Sequence, residues 1–349
     1  MQETISGIKK VPRRERVIFQ GTVDDLIKKF AEAGLTDGLP IVLPTEERVN
    51  EMLKRTSHPP DEFIGLMPPE NLEVTVEKVA INGVMSGCLP EHMPVLLAIA
   101  EILVDPKTRV ESFSRSTGSF AFWAMVNGPI AKEIKMNCGV NALGPGNTAN
   151  ATIGRSIRMF LINLGGAKPS VNDMSTLGSP LKYGFAFAEN ESESPWEPFH
   201  VTHGFEPEDS VVTLFKSWGY RSAAVDSPLG HGLPNIAWVA QNAVGRNLLL
   251  LIDPLLAKQI AKEGFSKKDV QNYLWHSLQI PAKEWREFQS SGSTRNWYKQ
   301  FLPEVMLPKF DSPESFEIIV VGGQTNPWYQ LYEGVAPAAG TSKSIDKWR

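Results

Sequence analysis

Three groups of residues have the side chains and spacing to do chemistry. The first centres on Cys88 in "NGVMSGCLPEHMPVLLAIAEIL", where a thiol stands directly before an expected helix that starts at Pro90. Free backbone N–H groups and the helix dipole at such a start stabilise an anion, and they lower a thiol pKa from about 8.5 toward neutrality. Gly83 and Gly87 would let a ligand approach the backbone, and Glu91 and His92 add titratable groups within a turn. Cys88 is therefore a candidate nucleophile or redox thiol. It also fits a small buried hydrophobe, and Glu91 would oppose a thiolate. The second group is "GPGNTANATIGR", residues 144–155. Gly146 precedes a helix whose expected cap is Asn147, with Asn150 and Thr152 in the first turns and Arg155 about two turns in. Such a junction offers amides to a phosphate or carboxylate. It lacks the Gly-Lys-Ser/Thr of a P-loop and the GxGxxG fingerprint, so no nucleotide is inferred. The plainer alternative is a turn, with Arg155 paired to a surface acid. The third group is "AENESESPWEPFHVTHGF". Glu189 ends an expected strand, and Glu197 and His200 follow a rigid "SPWEP" turn, which suits a general acid or base. On an extended segment His200 and His203 would face opposite sides, which argues against a metal pair, and most of the glutamates read as a solvated turn.

Lesser candidates surround these groups. Cys138 is the one possible thiol partner for Cys88, as a redox pair or as an unrelated residue. His231 in "SPLGHGLP" and the run "GGQTNPWYQ" are glycine-flanked loops that could line a pocket. Trp196, Trp328 and Tyr329 would be aromatic walls, or core.

The elements that must position these groups alternate. Thr22 with Asp25, and Ser266 with Asp269, form capping-box patterns ahead of amphipathic runs, and Thr45 caps "EERVNEMLKRT". Val76, Ala80 and Val84 recur four apart, which favours a helix over "VTVEKVAINGVM". Pro94 could delay the regular helix that Pro90 opens. "SFAFWAMVNGP", "KYGFAFAE", "DSVVTLF", "LLLLID" and "ESFEIIVVGG" read as strands, and "TANATIGRSIRMFLINL" reads as a helix closed by a Gly-then-Pro stop. Strands interleaved with helices predict an α/β class, with mixed sheets layered with helices in one large domain or two closely packed lobes. The expected divisions are an N-terminal arm over 1–20, an N-terminal lobe over 21–170, a C-terminal lobe over 171–335 and a C-terminal arm over 336–349.

Composition narrows the function. The chain has 349 residues, 42% hydrophobic and 21% charged, with a net charge of −4. That gives no global basic field, so neither nucleic acid nor an anionic membrane is expected as a partner. The start lacks an apolar run and does not read as a signal peptide. The longest apolar runs fall short of the ~20 residues a membrane span needs. Two cysteines argue against a disulfide framework and for a reducing, cytoplasmic setting. Nine tryptophans and the terminal arm fit a homo-oligomer. No cofactor is indicated, and a divalent metal is not expected.

Several runs together resemble a widespread bacterial family: "DGLPIVLPT", "VEKVAINGVMSGCLPEHMPVLLA", "VNGPIA", "GPGNTANATIGR", "ENESESPWEPFH" and "GFSKKDVQNYLW", in that order from about residue 25 to 325. Members accompany, or are fused to, a segment with the UGSC motif, which is similar to the catalytic subunit of glycine reductase. Gly87, Cys88, Pro90 and Glu91 fit the family's "AGCxPEYMPV" run. Asn150 to Arg155 fit "NATIGR", and Glu189, Trp196, Glu197 and His200 fit "ENEExSPWEPLH". The family's "GPHNVNDHGS"-like and "GGxGKHS"-like runs are replaced here by "SWGYRSAAVDSPLGHG" and "GGQTNPWYQ", and no UGSC segment is present. The resemblance implies thiol- or selenol-dependent chemistry and a UGSC-type thiol protein as partner. The expectation is an enzyme or enzyme subunit, oxidoreductase- or lyase-like, that reduces or cleaves a small, anionic organic molecule with Cys88. One alternative is a hydrolase or lyase using Glu/His acid–base chemistry, with or without a metal. The other is a non-catalytic partner of a separate thiol or selenol enzyme.

Overall fold

The computed structural model describes residues 19–225, 232–245, 247–285, 297–334 and 341–349. Most of the expected N-terminal arm and His231 lie outside them. In chain order the first elements are α1 (Val23–Glu32), α2 (Glu46–Leu53), the hairpin of β1 (Phe63–Met67) and β2 (Leu72–Thr75), α3 (Val76–Ser86), α4 (Met93–Val104) and α5 (Val110–Ser114). Then come β3 (Ala121–Asn127), α6 (Pro129–Glu133), α7 (Thr148–Asn163), β4 (Ala186–Ala188), α8 (Phe199–Thr202), β5 (Val211–Ser217) and β6 (Gly219–Ala224). The remainder is α9 (Gly232–Ala240), β7 (Leu248–Ile252), α10 (Pro254–Lys262), α11 (Lys267–Ser277), β8 (Gln279–Pro281), β9 (Met306–Pro308), β10 (Phe316–Val320), β11 (Trp328–Glu333) and β12 (Ser342–Ser344). Both capping boxes form: Thr22 with Asp25 opens α1, and Ser266 with Asp269 opens α11.

Two four-stranded mixed sheets, ordered β12-β5-β3-β4 and β10-β7-β11-β6, carry the architecture. β3 runs parallel to β4 and antiparallel to β5; β7 runs parallel to β10 and antiparallel to β11. Side chains alternate across a strand, so one strand can serve two cores. Phe122, Ala124 and Val126 of β3 face α3, α4 and α7, while Trp123 and Met125 face the other sheet. In β7, Leu248, Leu250 and Ile252 face α9, α10 and α11, while Leu249 and Leu251 meet Trp123 in the shared inner core. The result is a four-layer α-β-β-α arrangement. It explains why β3 and β7 are buried at every position and read as unbroken apolar runs.

The inner core is aromatic. The Trp123 ring lies 4.6 Å from Phe215, 4.9 Å from Phe185 and 5.1 Å from Tyr332, centroid to centroid, and its indole N–H donates to Ser217 Oγ at 3.0 Å. The first sheet draws β3 from one side of residue 170 and β4, β5 and β12 from the other, so the two expected lobes do not coincide with the two sheets. Nor do residues 341–349 trail as an arm. β12 is the edge strand beside β5, and Ile345 and Trp348 are buried under α4.

The 341–349 segment is anchored by polar contacts. Trp348 Nε1 donates to Glu101 at 3.0 Å, Arg349 forms an ion pair with Glu133, and Ser57 Oγ donates to the Arg349 carbonyl at 2.8 Å. His58 lies 4.6 Å from the Trp348 ring, with Nε2 at 2.8 Å from the Lys347 carbonyl and Nδ1 at 2.9 Å from both Glu62 oxygens. Both ring nitrogens face acceptors, so the imidazolium satisfies both at once. The Lys347 carbonyl, with Glu62, raises the His58 pKa above its ordinary 6.5.

Two outcomes are expected. Trp123→Ala lowers the unfolding free energy by about 3–5 kcal/mol in urea titrations, as for other fully buried aromatics; a loss within error would contradict a dry inter-sheet core. A raised folded-state pKa stabilises fully below the unfolded value, and the contribution fades as pH rises through the folded value. The stability gap between the protein and His58→Gln therefore narrows on going from acid to alkaline buffer, and a gap independent of pH would refute the linkage.

Candidate functional site

Cys88 does not start a helix. Gly87, at φ +88°, caps the C-terminus of α3, and the Cys88 N–H donates back to Gly83 O at 2.9 Å. The sulfur thus sits beside the negative end of one helix. Pro90–His92 is a single 3₁₀ turn, and α4 starts at Met93 with Pro94 in its first turn. Cys88 is buried in the core of α3, α4 and α7. Burial pushes its thiol up to about 12, against the smaller opposing effects of the Thr152 hydroxyl and the Arg155 charge. The expected activated thiolate is not formed there. Gly83 serves packing, since a Cβ at that position would lie 2.6 Å from Leu96 and 2.9 Å from Met52. Cys88 and Cys138 are both free.

The second group is partly structural. Asn147 caps α7 as expected, its side chain accepting from the Asn150 N–H at 3.0 Å. Asn150 is buried and ties down the preceding loop, donating to the Asn137 and Ala142 carbonyls. Thr152 bonds back to the Thr148 carbonyl within its own helix. Arg155 forms a two-pronged ion pair with Asp37, both contacts at 2.8 Å, and that guanidinium helps hold the Asp37 carboxyl below its usual range despite burial. Arg155 is thus committed to an acid, which is the plainer of the two expectations, although Asp37 is nearly buried. Gly146 and Asn147 do line a concavity of about 650 Å³, with Lys132, Lys135, Asn137 and Asn141. Gly146, at φ +120°, has open space where a Cβ would be. A volume in this range suits a small ligand.

The third group forms the best-developed site. Glu189 follows β4, and Asn127 ends β3, so both lie at the carboxyl end of a parallel pair, where ligands commonly bind in α/β sheets. The Asn190 N–H donates to Val320 O at 2.8 Å, which ties this end to β10 of the other sheet. Glu189 is buried. Its Oε2 accepts from Asn127 Nδ2 at 2.6 Å and from the Phe199 N–H at 2.7 Å, and its Oε1 lies 3.7 Å from Lys267 Nζ. Asn127 Nδ2 also donates to Glu191 Oε1 at 2.8 Å, and Glu191 Oε1 lies 3.9 Å from His200 Nδ1. Burial raises the Glu189 pKa and lowers that of Lys267, so the desolvated pair is pushed toward its neutral forms.

His200 is fully buried in the helical turn α8, not on a strand, because Pro198 sets the chain to start a turn. His203 caps the C-terminus of α8, three residues on from His200. It bonds Phe199 O at 2.8 Å and lies 3.3 Å from Glu317. Glu197 is exposed; its carbonyl accepts from Lys267 Nζ at 2.7 Å, and the charge of its carboxylate acts on Lys267 without a hydrogen bond. Among the described residues five buried side-chain atoms have no hydrogen-bond partner, and four belong here: Asn127 Oδ1, Glu189 Oε1 and both ring nitrogens of His200. Such concentration marks a site more than a packing flaw.

The structure therefore brings Glu189 and His200 together and leaves Cys88, Arg155 and the Glu197 carboxylate apart from them. Asn127 and Lys267 join the cluster from the runs "VNGPIA" and "GFSKKDVQNYLW", where no role is expected of them, and Glu191 joins it from a turn expected to be solvated; Lys132, at the concavity, follows the first of these runs. Among the described residues no three His, Cys, Asp or Glu side chains are placed to hold a metal ion, and no helix is long and apolar enough to cross a membrane. Comparison of the chain with protein-family models, curated proteins and solved structures returns no match.

Half-buried Cys138 and sealed Cys88 should differ in reactivity. Iodoacetamide on the native protein is expected to label Cys138 ahead of Cys88, with Cys88 reacting only after denaturation, as read by peptide mass mapping. Rapid native labelling of Cys88 would contradict its burial.

Proposed function

We propose that the chain is an enzyme acting on a small organic anion by acid–base chemistry, a hydrolase or lyase, with His200 and Glu189 as the proton-transferring groups. The observation that carries this reading is the set of four buried atoms without a hydrogen bond, on Asn127 and Glu189 at the carboxyl ends of β3 and β4 and on His200 in α8. Neutral imidazole has one donor and one acceptor nitrogen, and both are uncommitted, so His200 can take a proton from the substrate or from a water. Glu189 Oε2 is occupied by two N–H donors, which leaves Oε1 to carry and deliver a proton. Lys267, 3.7 Å away, stabilises the charge that Glu189 acquires on giving it up. The concavity lined by Lys132, Lys135, Gly146 and Asn147 is the proposed seat of the substrate's anionic group. Two unpaired cysteines fit a reducing, cytoplasmic setting.

A thiol-dependent reaction survives as a second reading in altered form. Such a reaction would run through Cys138, whose pKa burial raises, with Glu191 adding to that shift and Lys132 opposing it. A UGSC-type partner, implied by the resemblance, would be the external source of thiol or selenol in that case.

The test is turnover by the purified protein across a panel of small carboxylates followed by NMR. With an active substrate, His200→Ala and Glu189→Gln are each expected to lose about 10²–10⁴-fold in kcat. Cys88→Ala should keep kcat within a few-fold, with circular dichroism unchanged in all three. Full turnover by His200→Ala would end the proposal.

A further inference from the structure

We infer that the ligand of this site is a small organic anion that also carries a hydrogen-bond donor, a hydroxyl or an ammonium, away from its charged end; the inference rests on the acid–base reading above. The donor follows from Asn127. Its amide nitrogen faces Glu189 Oε2 at 2.6 Å and Glu191 Oε1 at 2.8 Å, and Glu191 Oε1 also accepts the Gly128 N–H at 2.8 Å. The amide is oriented nitrogen-first because an oxygen turned that way would face Glu191 Oε1 and a Glu189 Oε2 that already accepts the Phe199 N–H. The remaining end is Oδ1, which is fully buried, accepts only, and has no protein partner. In the same cluster Glu189 Oε1 and both His200 ring nitrogens also lack a hydrogen bond, with Lys267 Nζ 3.7 Å from the first and Glu191 Oε1 3.9 Å from His200 Nδ1. An anionic group placed here would meet Glu189, Glu191 and a carbonyl-type oxygen. A hydroxyl or ammonium supplies the hydrogen bond that Asn127 Oδ1 lacks, and a buried acceptor left without one costs about 1–3 kcal/mol.

The charged end belongs on the other side of Cys138. The 650 Å³ concavity has Lys132 and Lys135 in its wall and no carboxylate. Cys138 joins the two regions: it follows Asn137 in the wall of the concavity, its carbonyl accepts the Gly322 N–H at 2.8 Å, and the Gly322 carbonyl accepts from Asn190 Nδ2 at 3.1 Å, one residue from both Glu189 and Glu191. A basic depression and an acceptor-rich cluster placed side by side sort a ligand whose two ends differ in polarity. Neither region suits both ends.

The experiment uses the full chain and matched ligands. β-Alanine, 3-hydroxypropionate, propionate and propylamine, with their two- and four-carbon counterparts, are titrated by NMR and scored for Kd. A hydroxy or amino acid is expected to bind at least about tenfold more tightly than the plain acid or the plain amine of equal length, the difference made by one buried hydrogen bond. Comparing the hydroxy with the amino member tells which donor is used. Asn127→Val removes the acceptor that the inference invokes, so it should erase that preference, with circular dichroism showing that the fold is kept; a tenfold preference retained by the folded variant overturns the inference. Equal binding of propionate, or no binding by any member, overturns the inference. Failure of the acid–base reading shows separately, as full turnover by His200→Ala, and would leave these binding preferences as measured.

Discussion

The close packing of two sheets through one aromatic layer is the constraint on which the rest of this molecule depends. Trp123 is in contact with Phe185, Phe215 and Tyr332 at once, so the sheets are held by rings whose positions leave little slack. That spacing decides which strand ends meet. β4 and β10 belong to different sheets, yet the residue after Glu189 bonds the last residue of β10, and Asn190 Nδ2 reaches Gly322 at 3.1 Å. The carboxyl ends of two parallel pairs, one in each sheet, thereby form a single edge, and the polar groups in the loops there are desolvated by the fold itself.

Desolvation is costly, and its magnitude separates two explanations of the cluster. Each unpaired buried polar atom costs about 1–3 kcal/mol, while a whole domain is stable by about 5–15 kcal/mol. Four such atoms grouped within one set of contacting side chains make up a large part of that margin, which weighs against a purely structural role. Structural polar groups elsewhere in the protein look different. Asp37 with Arg155, and Asp173 with Lys182, Arg158 and Ser175, are buried sets in which the carboxylate is fully engaged. Both carboxyls are held below their ordinary range, whereas Glu189 is raised.

How far the sequence foretells this depends on the range of the forces involved. Capping boxes at Thr22 and Ser266 are legible because the whole interaction spans four residues. The mixed α/β class is legible because strands buried on both faces read as apolar runs. At Cys88 a local rule misleads: Pro90 signals a helix start, but Gly87 in a left-handed conformation turns the chain back over α3, and the regular helix waits for Met93. The Phe-His-Val-Thr run has strand propensity, yet Pro198 and the Glu189 carboxylate, which accepts the Phe199 N–H, fix it as a helical turn. Glu189 and His200 were identifiable from their motif. Asn127 and Lys267 also stand in quoted runs, but their role is not legible there, because they reach the site only through sheet pairing and the docking of α11, contacts no spacing encodes.

The edge strand formed by residues 342–344 has a bearing on how the chain comes to fold. Ser57 is bonded to Arg349 across 292 positions, and Trp348 fills the core beneath α4. Closing so wide a loop is an entropic step that contacts within the first hundred residues cannot reward by themselves, and non-local topology of this kind slows folding. During synthesis the early helices and the β1–β2 hairpin would have to wait, with β5 unpaired on one side, until the late segment emerges. An apolar strand with an open flank is a target for strand-on-strand association. Residues 342–344 therefore close an edge of the first sheet that the preceding strands cannot close themselves.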